Sequence, residues 1–277
     1  MTFVFFREQA GYISTIAWFL VAGLPSLGFR FSDRLFHRGK YERARQVKRF
    51  LCWLHPLHDW PWQDALYRAY DHASHGAHHE AVILLEQAQN QPPTVEQACA
   101  ILYFRHDWLG LITWWESYPN RDAIENRIDL LRHYLRALGE TGELNKLLQV
   151  IQKHYSAFSK VPTMLDYCYL YAFAFAGRIE QTSKLLHTST LETLGTDLRT
   201  IWLATAYCSA GNHEMGQAIL KSLLRTTKDG IVRAHAEQCI QRCLRGSLES
   251  ISAENRQFLK QLERDWNAKQ HLLSLWH

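Results

Sequence analysis

The sequence predicts an all-α fold: a right-handed α-solenoid of about six helix–turn–helix repeats, preceded by one transmembrane helix. The composition favours a folded chain, because 47% of the 277 residues are apolar and 21% are charged. The chain has 14 Gly and 7 Pro, which is fewer than a turn-rich β-sandwich requires. Glycine-centred turns recur along most of the chain, and a long uncharged segment lies near its start. These two features predict the repeats and the membrane helix.

The first predicted element is a membrane anchor over residues 1–30. No charged residue occurs between Gln9 and Phe29, and the part from Tyr12 to Leu24 is strongly apolar. About twenty such residues cross the ~30 Å hydrocarbon core of a bilayer as a helix. The positive-inside rule then places the bulk of the chain in the cytoplasm, as a single-pass membrane protein. Three other interpretations stay open: a buried core helix, a cleaved signal peptide and an amphipathic surface helix.

A basic cluster follows the predicted anchor directly. The formal net charge of the chain is +4, and residues 30–49 contain eight basic residues but only two acidic ones. The basic residues are Arg30, Arg34, Arg38, Lys40, Arg43, Arg45, Lys48 and Arg49. Positive charge beside a membrane segment attracts anionic lipid headgroups. We therefore expect membrane lipid to be the partner of the basic cluster, and we expect no nucleic-acid partner.

The repeat domain is predicted over residues 31–245, because turns recur there at nearly constant spacing. Glycine marks five of these turns: Gly39, Gly76, Gly142, Gly177 and Gly211. Their spacings are 37, 66, 35 and 34 residues, and a sixth turn at Arg105-His106 divides the gap of 66 into 30 and 36. Glycine suits the end of a helix because it adopts the left-handed conformation at little cost. Units of this length resemble tetratricopeptide repeats, although the first-helix tryptophan of that consensus is absent.

Two later segments need a specific assignment. The aromatic residues between Tyr167 and Phe175 alternate as they do in a strand, but the repeat spacing places them in the first helix of the fifth unit. We predict a helix there. Residues 246–277 are predicted to form a C-terminal amphipathic helix with Phe258 and Trp266 on its apolar face. This helix either caps the repeats or lies on a membrane or partner.

The sequence contains no arrangement typical of catalysis, metal binding or cofactor binding. Its six cysteines are scattered without a Cys-x-x-Cys motif, which predicts small core residues in a reducing compartment. Cys239 and Cys243 are four residues apart and are interpreted as an apolar helix seam. His72, His75 and His79 have metal-compatible spacing, but a turn glycine interrupts the helix between them. We predict no catalytic residue, no metal site and no cofactor.

A partner-binding groove is the most specific functional prediction. In helical-repeat arrays the first helix of each unit lines a concave surface, and its exposed positions lie at fixed distances before the turn. Those positions predict the following groove residues: Tyr70, Tyr103, Arg132, Arg136, Tyr167 and Tyr171. Tyrosine and arginine at such a surface suit an extended peptide or a partner helix. The alternative is that the tyrosines fill the core between repeats.

Several segments resemble the N-terminal region of rhomboid-family intramembrane serine proteases of the cyanobacterial type. The resemblance covers roughly residues 10–225, and its most specific part is the Trp-Leu-His-Pro sequence at 53–56. It is carried by residues 33–45, 53–56, 134–142, 171–177 and 201–206. In that family the helical repeats precede a six-helix membrane protease with a Gly-x-Ser-Gly motif and a histidine base. This chain contains no Gly-x-Ser-Gly sequence, so the resemblance implies a membrane-tethered module that binds or presents partners.

Two other functions are compatible with the same sequence features. The chain is a fragment of an active rhomboid protease whose catalytic core lies beyond residue 277, or it is a docking subunit of a larger membrane complex. The first alternative makes the parent protein an enzyme although this chain has no catalytic residues.

Overall fold

The part of the chain that the computed structural model describes is built from α-helices. This part comprises residues 23–54, 60–188, 194–245 and 250–274, together with Leu191 and four positions before residue 23. Within these residues there are fifteen helices and no strand. They are α1 (Leu24–His37), α2 (Tyr41–Leu54), α3 (Trp60–Ser74), α4 (His78–Ala88), α5 (Val95–Phe104), α6 (Trp108–Ser117), α7 (Arg121–Glu125), α8 (Ile128–Thr141), α9 (Leu144–Phe158), α10 (Pro162–Phe175), α11 (Ile179–Leu186), α12 (Thr196–Ser209), α13 (His213–Thr226), α14 (Gly230–Arg245) and α15 (Ala253–Ser274). The helix predicted for the aromatic segment 167–175 is confirmed, since α10 includes all of it.

The chain divides into two compact units. Unit 1 comprises residues 1–89 and contains α1 to α4, and unit 2 comprises residues 90–277 and contains α5 to α15. Unit 2 has a large continuous core around α8, α9 and α10, whose biggest fully buried side chains include Trp115 and Tyr134. These two rings are stacked, with centroids 5.1 Å apart and planes inclined by 5°.

All six predicted turns join pairs of helices. The five turn glycines have positive φ angles, and the sixth turn has His106 at φ 54°, the positive-φ residue among the described residues that is not glycine. Each of these turns also closes with a backbone hydrogen bond back into the preceding helix. A side chain caps the following helix at two of them: Asp107 accepts from the amide of Gly110, and Asn212 accepts from that of Met215. The local chemistry of the turns therefore matches the prediction.

Consecutive helix pairs pack in the manner of repeats. In unit 2 the first helices of successive pairs are neighbours, in the order α5, α8, α10, α12 and α14. At Gly139 the helices α8 and α10 approach so closely that an added Cβ would lie 2.0 Å from the ring of Phe175. The prediction of an all-α fold with repeat-like packing of consecutive helices is confirmed.

The C-terminal helix folds back onto the middle of unit 2. Helix α15 packs against α9 and α10, and its apolar face, which includes Phe258, Leu262 and Trp266, is buried. Polar contacts hold it there: Asn255 donates to Asn145 at 2.8 Å, and Lys269 pairs with Asp166 at 2.8 Å. The apolar face of α15, one possible surface for a membrane or a partner, is therefore buried against other helices of the same chain.

The predicted transmembrane segment lies largely outside the described residues. From Leu24 onward the chain is the helix α1, which continues through Arg30 and Arg34 to His37 and so crosses the predicted boundary at residue 30. None of the helices in the described part of the chain is long and apolar enough to span a bilayer.

The stacking of turns predicts different costs for two glycine substitutions. At Gly177 (φ +69°) an added Cβ would lie 2.7 Å from the backbone nitrogen and Cα of Ala210, whereas at Gly211 (φ +83°) it would meet no described atom within 4 Å. We expect Gly211→Ala to lower the free energy of unfolding by about 1 kcal/mol, because alanine is strained in the left-handed conformation. Gly177→Ala should cost about 1–3 kcal/mol more, because the backbone of the next turn must move. Urea unfolding of both variants measures the difference, and equal costs would contradict the stacking of these two turns.

Candidate functional site

Three buried charges join α8 to α14 in unit 2. Glu140 accepts from Nε of Arg136 at 3.0 Å with one carboxylate oxygen, and from Nη1 of Arg242 at 2.7 Å with the other. The side chains of Arg136, Glu140 and Arg242 are only 11%, 8% and 14% exposed. Burial by itself raises the pKa of Glu140, but Arg242 and Arg136 outweigh it and hold this pKa below its ordinary value. The carboxylate is therefore ionised, and we call this group the ion triad.

A row of aromatic and cationic side chains runs across α5, α8 and α10. The ring centroid of Tyr103 lies 5.0 Å from that of His133, and the guanidinium of Arg132 lies 5.2 Å from the ring centroid of Tyr167. All four side chains are partly exposed. We call Tyr103, Arg132, His133 and Tyr167 the arginine–aromatic row.

A buried layer supports this row. The guanidinium of Arg136 lies 4.6 Å from the ring centroid of Trp202 and 5.7 Å from that of Trp108. Tyr171 is 4% exposed, and its ring centroid lies 5.3 Å from that of Trp202. Because Arg136 also belongs to the ion triad, the triad fixes the residues beneath the row.

Charge at the row comes from arginine and not from histidine. Burial, together with the nearby Arg132 and Arg136, lowers the pKa of His133 to about 3, so this ring is neutral at physiological pH. Burial raises the pKa of Tyr167 despite the opposing effect of Arg132, so its hydroxyl is protonated. The row therefore presents neutral rings beside a permanently charged guanidinium.

Helix α14 contacts the residues around the arginine–aromatic row at two places. Near its start, the ring centroid of His235 lies 5.1 Å from that of His106 and 6.3 Å from that of Tyr103. Near its end, the guanidinium of Arg242 lies 5.1 Å from the ring centroid of Phe175. The last helix of the repeat series thus contacts residues of the first pair of helices in unit 2.

Five of the six predicted groove residues lie close together in unit 2. Tyr103, Arg132 and Tyr167 belong to the partly exposed row, while Arg136 and Tyr171 belong to the buried layer beneath it. Tyr171 is buried, as the alternative interpretation expects of tyrosines that fill the core between repeats.

The sixth groove residue, Tyr70, lies in unit 1. Its ring centroid is 4.7 Å from that of Phe36 and 5.3 Å from that of Tyr41. It is part of an aromatic cluster between α1, α2 and α3, and it contributes nothing to the row described in unit 2.

The basic cluster is spread over α1, α2 and the turn between them. Arg45 forms ion pairs with Glu42 at 2.7 Å and Asp64 at 3.0 Å, and Lys48 lies 3.8 Å from Asp33. Six members are exposed and form no ion pair with another described residue: Arg30, Arg34, Arg38, Lys40, Arg43 and Arg49. These six are the charges that a lipid surface or another partner can reach.

A cavity of about 640 Å³ opens where several turns of unit 2 meet. It is lined by His106, Glu140, His213, Arg242 and both cysteines of a disulfide, Cys208–Cys243, whose Cα atoms are 5.5 Å apart. The Sγ atom of Cys239 completes a group of three buried sulfur atoms that lie within 4.8 Å of one another. Within the described residues this is the one group of three side chains placed to share a metal ion.

The disulfide corrects the prediction of reduced, unpaired core cysteines for Cys208 and Cys243. Cys99, Cys168 and Cys239 are free and buried, as predicted. Cys208 and Cys243 are 35 residues apart, which is one repeat length, so they occupy equivalent places at the ends of α12 and α14. Adjacent repeats bring equivalent positions close together. The 35-residue separation of the two cysteines was therefore the feature of the sequence that could have predicted the disulfide. The interpretation of Cys239 and Cys243 as a helix seam agrees with their burial in the core between α12, α13 and α14.

The ion triad predicts a large stability loss for Glu140→Gln. The change leaves two buried guanidinium groups without their carboxylate and should lower the free energy of unfolding by about 3 kcal/mol at pH 7. Since the folded protein lowers the pKa of Glu140, the wild-type advantage is complete above the ordinary carboxyl range and disappears as the pH falls through that lowered value. Glu180→Gln is the matched control, because Glu180 pairs with Lys184 on the exposed surface of α11. Urea unfolding at several pH values measures the effect, and equal stability of the two variants would contradict it.

Comparisons with known protein families, characterised proteins and solved structures found no match for this chain.

Proposed function

We propose that the chain is a membrane-associated helical-repeat module that binds a segment of a partner protein at the arginine–aromatic row. The main support for this proposal is one partly exposed surface in unit 2. It is formed by Tyr103, Arg132 and Tyr167, which lie on three successive first helices. Tyrosine and arginine are the side chains most often found at the energetic centres of protein interfaces. An extended peptide or a partner helix fits a surface built from parallel helices.

The buried layer makes this surface suitable for binding. Arg136, Trp108 and Trp202 hold the floor of the row, so its rings lose little conformational freedom when a partner binds. The ion triad contains two cations for one anion, and Arg132 adds a further positive charge at the surface. This balance favours a partner segment that carries carboxylates.

The membrane part of the proposal rests on the basic cluster. Six exposed cations on α1, on α2 and in the turn between them follow the uncharged segment that ends at Phe29 in the sequence. Each basic residue near an anionic membrane contributes about 1 kcal/mol of attraction. We propose that α1 and α2 lie against anionic lipid, with the remainder of the chain on the cytoplasmic side.

The resemblance to the N-terminal region of rhomboid proteases supports a more specific role. A module of that kind presents partners or substrates to a membrane protease, whether the protease core belongs to the same protein or to another. A docking subunit of a different membrane complex is the alternative, and the same surfaces serve it.

Peptide binding tests the row. Acidic peptides selected from a displayed random library on the wild-type chain should bind at least about 10-fold more weakly to the variants Arg132→Ala and Tyr167→Ala. The matched controls are Arg264→Ala on the exposed face of α15 and Tyr118→Ala at the end of α6. Fluorescence anisotropy measures the affinities. Peptides that bind all four variants with wild-type affinity would show that the row is not the binding site.

Vesicle binding tests the basic cluster independently. Changing Arg30, Arg34 and Arg38 to Gln together should weaken binding to vesicles containing phosphatidylserine by about 100-fold, because each charge contributes about 1 kcal/mol. The control changes three exposed arginines elsewhere: Arg225, Arg256 and Arg264. Binding is measured by co-sedimentation with neutral and anionic vesicles. Equal losses for both triple variants would indicate attraction by net charge and would contradict a specific membrane face.

A further inference from the structure

Partner binding at the arginine–aromatic row gives no role to the buried sulfur cluster beside the cavity. Cys239 and Cys243 are one helical turn apart on α14, and Cys208 faces them from the end of α12. Ligands four residues apart on a helix face commonly share one metal ion. We propose that, when the Cys208–Cys243 disulfide is reduced, the three cysteines bind one Zn²⁺ ion as thiolates.

The distances fit a thiolate site for this ion. Zinc–sulfur bonds of about 2.3 Å in a tetrahedral site place the sulfur atoms about 3.8 Å apart. Sγ of Cys239 lies within 4.8 Å of the two sulfur atoms of the disulfide. Once the disulfide is reduced, side-chain rotations of Cys208 and Cys243 must separate their sulfur atoms to the spacing that zinc requires. Sulfur ligands select zinc and other thiophilic ions over magnesium or calcium.

The surroundings compensate the charge of such a site. Nη2 of Arg242 donates to Sγ of Cys239 at 3.3 Å, which is the kind of hydrogen bond that orients a metal-binding thiolate. A zinc ion with three thiolates has a net charge of −1. The ion triad beside it contains two guanidinium groups and one carboxylate, so the combined group is close to neutral.

The cavity gives the ion a route to the site and an open fourth position. Cys208 and Cys243 line the cavity, so a hydrated ion reaches them from solvent. A water molecule from the cavity completes a four-coordinate site.

The chemistry consists of two balanced steps. A phosphine reductant and one water molecule convert the disulfide into two thiols and the phosphine into its oxide. Three thiols then bind Zn²⁺ and release three protons. Burial raises the pKa of Cys239, and binding of the ion supplies the free energy for its deprotonation.

Cobalt substitution on the full chain tests this site. Reduced wild-type protein, freed of reductant without oxygen, is titrated with Co²⁺ and then with Zn²⁺. We expect one equivalent of Co²⁺ to give sulfur-to-cobalt charge-transfer absorption, which Zn²⁺ then abolishes, and we expect the oxidised protein to give none. Cobalt bound to the histidines elsewhere in the chain gives no sulfur band, so the readout is specific.

Two variants make the test decisive. Cys239→Ala should weaken Co²⁺ binding at least about 10-fold, whereas Cys168→Ala, which removes a buried cysteine of α10, should not. Retention of the Cys208–Cys243 disulfide and of the helical circular dichroism in oxidised Cys239→Ala shows that this variant folds. Absence of the sulfur band in reduced wild-type protein, or equal affinity of the two variants, would overturn the proposal.

Discussion

The buried carboxylate of Glu140 must face two guanidinium groups at once, and much of unit 2 is arranged around that requirement. Each buried ion loses several kcal/mol of hydration, which is recovered only if its partners are held at hydrogen-bond distance. Glu140 meets this condition with both oxygens, to Arg136 on its own helix and to Arg242 on α14. The position of α14 is therefore tied to the end of α8, across 102 residues of sequence.

Both proposed sites depend on that link. Arg136 lies over Trp108 and Trp202 and so supports the row where we propose that a partner binds. Arg242 contacts Glu140 with one nitrogen and Cys239 with the other, so it connects the carboxylate to the sulfur cluster. A change in the oxidation or metal state of the cysteines would thus act on the same residues that support the row.

Much of the fold was predictable from sequence because its signals are local. The left-handed turns are marked by glycine, and the period of these glycines indicates pairs of helices. The surface against which α15 packs was not predictable, because its amphipathic pattern fits any apolar surface. The ion triad and the Cys208–Cys243 disulfide were missed because they join different repeats, although the 35-residue separation of the cysteines equals the repeat length. Burial of Arg136 and Tyr171 likewise depends on their packing against Trp202 of α12, which no local pattern specifies.

A double-mutant cycle between Glu140 and Arg242 tests the central claim most directly. Free energies of unfolding are measured for the wild type, Glu140→Gln, Arg242→Met and the double variant at neutral pH. If the buried pair fixes α14 against α8, the coupling energy should be at least about 2 kcal/mol, because each single change leaves an uncompensated buried charge. A coupling energy below about 0.5 kcal/mol would contradict the account, since the two residues would then contribute to stability independently.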